Sequence, residues 1–513
     1  MEIKKSKKAL VAAGHEEVAK AAAIILEAGG NAFDAVVAAG LASTVAEPML
    51  TSLGGGGFAL ARTADQEEIF FDFFVDTPGI GLKNKELEPH FYPIDVDFAG
   101  STQEFNIGLG SVAVPGTLKG LLHIHERLGR MPLQEIVEPA IALAQGHELN
   151  HIQAYFLKIL CPILELGETG RVLYKASGQL IKEGETLINP ELANFLLQLP
   201  EDKGKEFYLG TLAAQIDQDM RNGQGLLTAQ DLAAYTVHER KPLRIPYHGH
   251  TLLTAPDMGG SLIGLSLFLQ ERAGEAIGPV QNWASTEHLL RTLGVMHEVE
   301  RLRKQGLCTP QALEAFIKGK EPTASVAHIR QFSRGTTHVS IADSMGNIAA
   351  MTCSNGEGSG YFVPGTGIML NNMMGEDDLH PGGFHAEPPG QRVGSMMSPS
   401  ALLHGDEVKL VFGSGGSKRI RTALSQVLTQ VVDFKRDLAD AVLAPRMYWD
   451  GDANILQVEP GFSAKALQAL EEQVQVNHWQ APDLYFGGVH AVMPGLSGVG
   501  DPRRGGSVAM VEL

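Results

Sequence analysis

The chain has 513 residues, 44% of them hydrophobic and 19% charged, ordinary globular values that argue against a disordered or fibrous polypeptide. With 41 basic against 59 acidic residues the net charge is −18, which repels a phosphate backbone and argues against nucleic acid as a partner. No stretch approaches about 18 uninterrupted apolar residues and no secretory signal opens the sequence, while Cys161, Cys308 and Cys353 lack the spacing of a zinc site or disulfide framework. A reducing cytoplasm is therefore the expected location, with the periplasm or secretion the alternative if a signal was removed.

Along the chain, Val18, Ala22, Ile25 and Leu26 recur at helical spacing. Gly29-Gly30 stops that helix, and Asn31 can cap a second. The second, from Asp34 to Val45, is alanine- and valine-rich, apolar on most sides, and is predicted to lie inside the molecule. Four glycines, Gly54 to Gly57, lead into alternating stretches at Phe58–Arg62 and Glu68–Phe74, which read as antiparallel strands. The glycines either pack sheet on helix or line a pocket with backbone. The middle, roughly 132–326, alternates helical patterns with polar connections and reads as scaffold. His123 and His125 lie two apart on a helical pattern and face different directions. His380 and His385 flank Pro381-Gly382-Gly383 without a carboxylate pattern of metal-site spacing. Neither pair is expected to hold a metal, and no cofactor is expected.

The segment Arg334 to Ser354 carries the most chemistry. Thr336 to Ala342 and Ile348 to Thr352 read as a hairpin around Met345-Gly346-Asn347. If Ala342 faces Ile348, Thr336 falls opposite about Ser354. A threonine hydroxyl is a poor nucleophile unless a base takes its proton, and the nearest base is its own α-amine, free only once the preceding peptide bond is cut. Such an amine titrates at about 8. Gly335 lets the backbone bend so that the hydroxyl reaches its own upstream carbonyl. The competing reading is Thr-Thr as simple β-propensity.

Further on, Gly413-Ser414-Gly415-Gly416-Ser417-Lys418-Arg419 joins the strand Val408–Phe412 to a helical stretch, Ile420–Phe434. Backbone N–H groups at such a turn can hold an anion or an oxyanion. The run lacks the spacing of a nucleotide phosphate loop. A second hydroxyl-rich run, Gly394 to Ser400, precedes the strand Ala401–His404.

Together these segments resemble the γ-glutamyltransferase (γ-glutamyltranspeptidase) family of N-terminal-nucleophile hydrolases, nearly end to end. The resemblance is carried by Gly29 to Ala35 with Glu47-Pro48, Gly54 to Gly57, Val114-Pro115-Gly116-Thr117 and Asp231 to Tyr235. It continues through Thr336-Thr337-His338, Asp343 with Gly346-Asn347, Leu370-Asn371-Asn372, Met397-Ser398-Pro399 and Asp501-Pro502-Arg503. The family implies an α+β fold, a four-layer αββα sandwich made as one precursor. Cleavage before the threonine would give a large subunit, 1–335, and a small catalytic subunit, 336–513, intertwined as one structural domain. By position, Thr336 is nucleophile and new N-terminus, and Ser354 stands where the family has a supporting threonine. The oxyanion donors fall on Gly416 and Ser417, with Gly415 adjacent.

On the substrate side, Glu376 maps to the acid that holds the α-amine of a γ-glutamyl group. Asn355 takes the place of a loop asparagine. The paired serines become Ser395 and Met396, and Phe74 stands where an arginine clamps the α-carboxylate. Loss of that charged partner costs roughly 2–5 kcal/mol of binding. The resemblance thus implies hydrolysis or transfer of an acyl (γ-glutamyl) group from a small amide or peptide such as glutathione through a Thr336 ester. Two alternatives are an acylase of the same fold acting on a non-glutamyl amide, and an uncleaved, non-catalytic homologue.

Overall fold

The computed structural model describes residues 8–82, 88–98, 101–175, 178–319, 335–376, 379–380 and 383–512. The last part of the predicted scaffold segment, 320–326, lies outside them, as does the basic opening before Lys8.

Two antiparallel sheets stack face to face. The first has seven strands in the order Ser507–Glu512, Lys8–Ala13, Thr336–Ala342, Ile348–Ser354, Gly56–Arg62, Glu68–Phe73 and His238–Arg240. The second has six, Ser497–Val499, Gly488–Met493, Glu407–Gly415, Ser400–His404, His250–Thr254 and Leu243–Tyr247. Leu10, Phe58, Leu60 and Phe70 from one sheet meet Leu402, Leu410, Phe412 and Val489 from the other in one buried cluster. The alternate residues of the first sheet, Val11, Ala59, Phe71 and Ile341, pack against the helices Glu16–Glu27 and Ala32–Ala46. On the far side of the second sheet, Ile263 and Leu267 of the helix Met258–Ile277 and Leu424, Val427 and Leu428 of Arg419–Val432 extend the inter-sheet cluster. The result is a four-layer αββα sandwich, as period-two patterning on two-sided sheets requires.

Local chemistry explains why the pieces form where they do. All 15 residues of Ala32–Ala46 are buried, the outcome for a helix that is apolar all round. Its start is a capping box in which Asn31 Oδ1 accepts from the N–H of Asp34 (2.9 Å) while Asp34 Oδ2 accepts from that of Asn31 (2.9 Å). Asp343, at the turn of the central hairpin, accepts from the N–H groups of Met345 and Asn347 (2.9 Å each) and from Ala32 (3.0 Å). One carboxylate thereby ties the hairpin to the N-terminus of the buried helix. The four-glycine run serves packing: a β-carbon on Gly55 would strike the carbonyl of Ser354, and one on Gly57 would lie 2.5 Å from the Phe73 ring.

Candidate active site

The hairpin register places Thr336 opposite Ser354, Thr337 opposite Cys353 and Ala342 opposite Ile348, the pairing expected from the alternation. Thr336 begins the third strand of the seven and is 3% exposed. Gly335, the residue before it, is held at both its carbonyl and its N–H. The Ser354 hydroxyl donates to the carbonyl oxygen of Gly335, and the Gly335 N–H donates to Glu357 Oε1 at 3.3 Å.

Thr336 opens onto a cleft lined on its polar side by Thr336, Ser354, Glu376, Ser395 and Ser417. Phe74, Met373, Leu379, Met396, Met397 and Ile420 form the apolar walls. Five of the eight residues predicted for the site therefore converge on one space. Gly415 and Gly416 stand just outside the lining. Gly415 pairs with Gly488 at the end of its strand, and a β-carbon there would strike the carbonyl of Thr336. Gly416 has φ +120° and Ser417 φ +49°, a left-handed conformation that costs a non-glycine residue about 1 kcal/mol or more. The turn delivers the chain to the first residue of the helix Arg419–Val432, where backbone N–H groups and the helix dipole favour negative charge.

Asn355 also lies outside the lining. It is fully buried, and neither its Oδ1 nor its Nδ2 has a hydrogen-bond partner among the described residues; its carbonyl accepts from Gly358 (3.1 Å) and Asn372 (3.4 Å). Phe74 packs its ring against Phe58, centroids 5.7 Å apart. The guanidinium of Arg392, on the segment leading to Ser395, is engaged by Asp76 (2.6 Å), Asp72 (2.6 Å) and the carbonyl of Thr236 (2.7 Å).

The histidines have other occupations. His123 meets Glu239 (2.8 Å), and His125 meets the carbonyl of Met131 (2.8 Å). His380 uses both ring nitrogens, on Glu387 (3.0 Å) and the carbonyl of Met373 (2.9 Å). His385 bonds the carbonyl of Gly110 (2.9 Å). Among the described residues no group of three or more His, Cys, Asp or Glu side chains is arranged to hold a metal, and no helix is long and apolar enough to cross a membrane.

Two buried charges beside Thr336 were given no role by sequence reasoning, although Glu47 stands in one of the motifs that carry the resemblance. Arg504 Nη1 donates to the carbonyl oxygen of Thr336 at 3.1 Å, and Glu47 accepts from the Thr337 hydroxyl at 3.0 and 2.9 Å. Burial pushes the Glu47 carboxyl up to about 7, against the hydrogen bond from Thr337. The available signals were a glutamate ending an otherwise apolar helix and a second arginine after Asp501-Pro502-Arg503.

A four-layer αββα sandwich with threonine at the start of a central strand, its upstream carbonyl gripped and a cleft before it, defines the N-terminal-nucleophile hydrolase class. A family profile described as Gamma-glutamyltranspeptidase matches residues 18–511, and the chain belongs to that family of enzymes. It is 30% identical to the glutathione hydrolase proenzyme of Escherichia coli (strain K12) over 97% of this chain and 91% of that one. It is also 30% identical to the acylase ACY 1 proenzyme of Pseudomonas sp. (strain SE83), over 90% and 86% respectively. The crystal structure of cephalosporin acylase from Bacillus halodurans superposes with a TM-score of 0.82 at 24% identity, over 99% of this chain and 97% of that one, a likeness of fold.

Proposed function

We propose that the chain cleaves itself between Gly335 and Thr336 and then uses Thr336 to take an acyl group, of the γ-glutamyl type, from a small amide such as glutathione. The observation that carries this reading is the placement of the Gly335–Thr336 peptide bond against the Ser354 hydroxyl at the wall of the cleft. In the first reaction Thr336 Oγ attacks the Gly335 carbonyl and the C–N bond breaks, moving the acyl chain from nitrogen to oxygen. Water then hydrolyses the ester, leaving fragments 1–335 and 336–513 and a free α-amine on Thr336.

In turnover that amine takes the Oγ proton as Oγ attacks the substrate carbonyl. The N–H groups of Gly416 and Ser417 hold the oxyanion, with Ser354 supporting the hydroxyl. The leaving amine departs with the proton, and water or a second amine releases the acyl group from the ester. Glu376 and Ser395, which line the cleft, form the substrate-binding side, Glu376 as the acceptor for an ammonium group. The nearly end-to-end match to glutathione hydrolase proenzymes supports the γ-glutamyl reading. The lining observation that Phe74 and Met396 are apolar, with the acylase relatives, supports a second reading, an acylase for a less ionic acyl group.

The test is N-terminal sequencing of the purified protein with p-nitroaniline release from γ-glutamyl-p-nitroanilide. A small fragment beginning at Thr336, lost in Thr336→Ala together with all activity, is the expected result. An active but unbroken chain would overturn the mechanism. A cleaved chain that turns over butyryl- but not γ-glutamyl-p-nitroanilide would select the acylase reading.

A further inference from the structure

Two consecutive residues of the nucleophile strand are each gripped by a buried charge, and the two charges have opposite sign. Arg504 comes from the 3-10 turn Pro502–Arg504, is 3% exposed, and spans from the carbonyl of Thr336 (3.1 Å) to that of Leu484 (3.4 Å). Glu47, just past the helix Ala32–Ala46, is 5% exposed and holds the Thr337 hydroxyl with both carboxylate oxygens. Space has been kept for this arrangement. A β-carbon on Gly488 would lie 2.7 Å from Arg504 Cδ, and one on Gly14 would lie 2.8 Å from both Glu47 Oε1 and Thr337 Oγ1.

The nitrogen and carbonyl oxygen of one residue are at most about 3.6 Å apart by covalent geometry. The Arg504 guanidinium therefore lies within about 7 Å of the nitrogen that becomes the α-amine of Thr336. Three carboxyls belong to the same neighbourhood: Glu47 on the Thr337 hydroxyl, Glu357 on the Gly335 N–H, and Glu376 in the lining of the cleft. Each favours a protonated, inactive amine. Opposing them are Arg504 and, beyond it, Arg419. His490, near Gly14 behind the strand, is pushed by burial down to about 4 and is neutral at working pH.

We propose that Arg504 is the positioning residue of the catalytic amine, fixing Thr336 through its carbonyl and disfavouring the ammonium form, with Glu47 as the opposing charge on the next residue. This rests on the reading that cleavage frees the Thr336 amine. Arg504 stays cationic near neutrality although burial draws it down to about 10. Glu47, raised to about 7, becomes a charged opponent only above that pH. A positive charge at about 7 Å in a partly solvated cleft shifts an amine by about one unit or more.

The sign of each effect differs, and that provides the test. The pH dependence of kcat/KM on γ-glutamyl-p-nitroanilide, or on whichever anilide the cleaved wild type turns over, is compared for wild type, R504Q, R504K and E47Q. R504Q removes the cation, so its acid limb moves up by about one unit. R504K keeps the charge and loses the fork, so kcat falls while the limb stays within about 0.3 unit of wild type. E47Q removes the anion, so the limb moves down. A cleaved R504Q whose limb coincides with wild type, however slow, overturns the proposal. If R504Q fails to fold or cleave, E47Q decides: an unmoved or upward limb overturns it. Failure of the parent reading looks different, as an active wild-type chain that is never cut at Thr336.

Discussion

Ser354 lies directly across the central hairpin from Thr336, and its hydroxyl reaches past that residue to the carbonyl oxygen of Gly335. In the proposed self-cleavage, a donor on this oxygen stabilises the charge that develops there as Thr336 attacks. Ser354→Ala is therefore expected to slow self-cleavage by about 10²-fold, the cost of losing one oxyanion donor. Ser354→Thr keeps a hydroxyl and should recover most of the rate. Timed gels of the full-length chain against its fragments measure both. Equal rates for alanine and threonine would show that the hydroxyl plays no part.

The turn after the strand Glu407–Gly415 makes contrasting demands on adjacent residues. A side chain on Gly415 would push against the Thr336 carbonyl and approach Arg504 Nη1 at 3.1 Å. Gly415→Ala is expected to lower kcat at least tenfold, because Thr336, the proposed nucleophile, must shift. Ser417 is proposed to act through its backbone N–H and sits at φ +49°, so Ser417→Gly relieves strain and keeps the donor. It should stabilise the protein by up to about 1 kcal/mol and lower kcat by no more than a few-fold. A large loss in Ser417→Gly would assign the work to the hydroxyl instead.

The parts of this molecule that were legible beforehand are those written in short periods. The buried helix Ala32–Ala46 announced itself by lacking a polar face, its cap by Asn31, and the hairpin by alternation around a glycine turn. The pairing of Thr336 with Ser354 followed from register, and their roles from the family resemblance. What could not be read was anything set by contacts across the sandwich. Arg504 meets Thr336 from 168 positions away, and Thr337 meets Glu47 across 290, separations over which no local pattern carries information. The same holds for the glycines: the four-glycine run left close packing and a pocket lining both open, and only the packed sheets show that Gly55 faces the Ser354 carbonyl. Position-by-position transfer brought Glu376, Ser395 and Ser417 to the cleft lining and left Asn355 buried outside it.

Met396 offers a direct probe of acyl choice. It is 4% exposed and lines the cleft beside Ser395, where the family pattern has a second serine. Met396→Ser adds a hydrogen-bond donor for an α-carboxylate, worth about 1.5–3 kcal/mol to a charged group, and removes apolar wall. The ratio of kcat/KM for γ-glutamyl- over butyryl-p-nitroanilide should rise at least tenfold. An unchanged ratio would mean that the acyl end does not reach this wall.

The helix that follows the Gly416–Ser417 turn is anchored by a buried charge cluster that makes its own prediction. Glu300, on the helix Thr286–Lys304, accepts from Arg303 at 2.6 and 3.0 Å and from Arg421, on Arg419–Val432, at 2.7 Å. Burial pushes the Glu300 carboxyl up, but Arg421 and Arg303 outweigh it and hold the group down at about 2. A folded value below the unfolded value of about 4.3 means that the carboxylate stabilises the fold above that pH, and that the contribution is lost as pH falls toward 2. Glu300→Gln leaves two buried guanidiniums without their anion, so it is expected to cost about 3 kcal/mol at pH 7. The difference from wild type should shrink steadily between about pH 4 and pH 2. Urea midpoints of the two proteins at pH 7, 4 and 3 read this directly. A deficit that does not narrow as the pH falls would show that packing rather than charge makes Glu300 matter, and the link from this cluster to the oxyanion turn would then be steric.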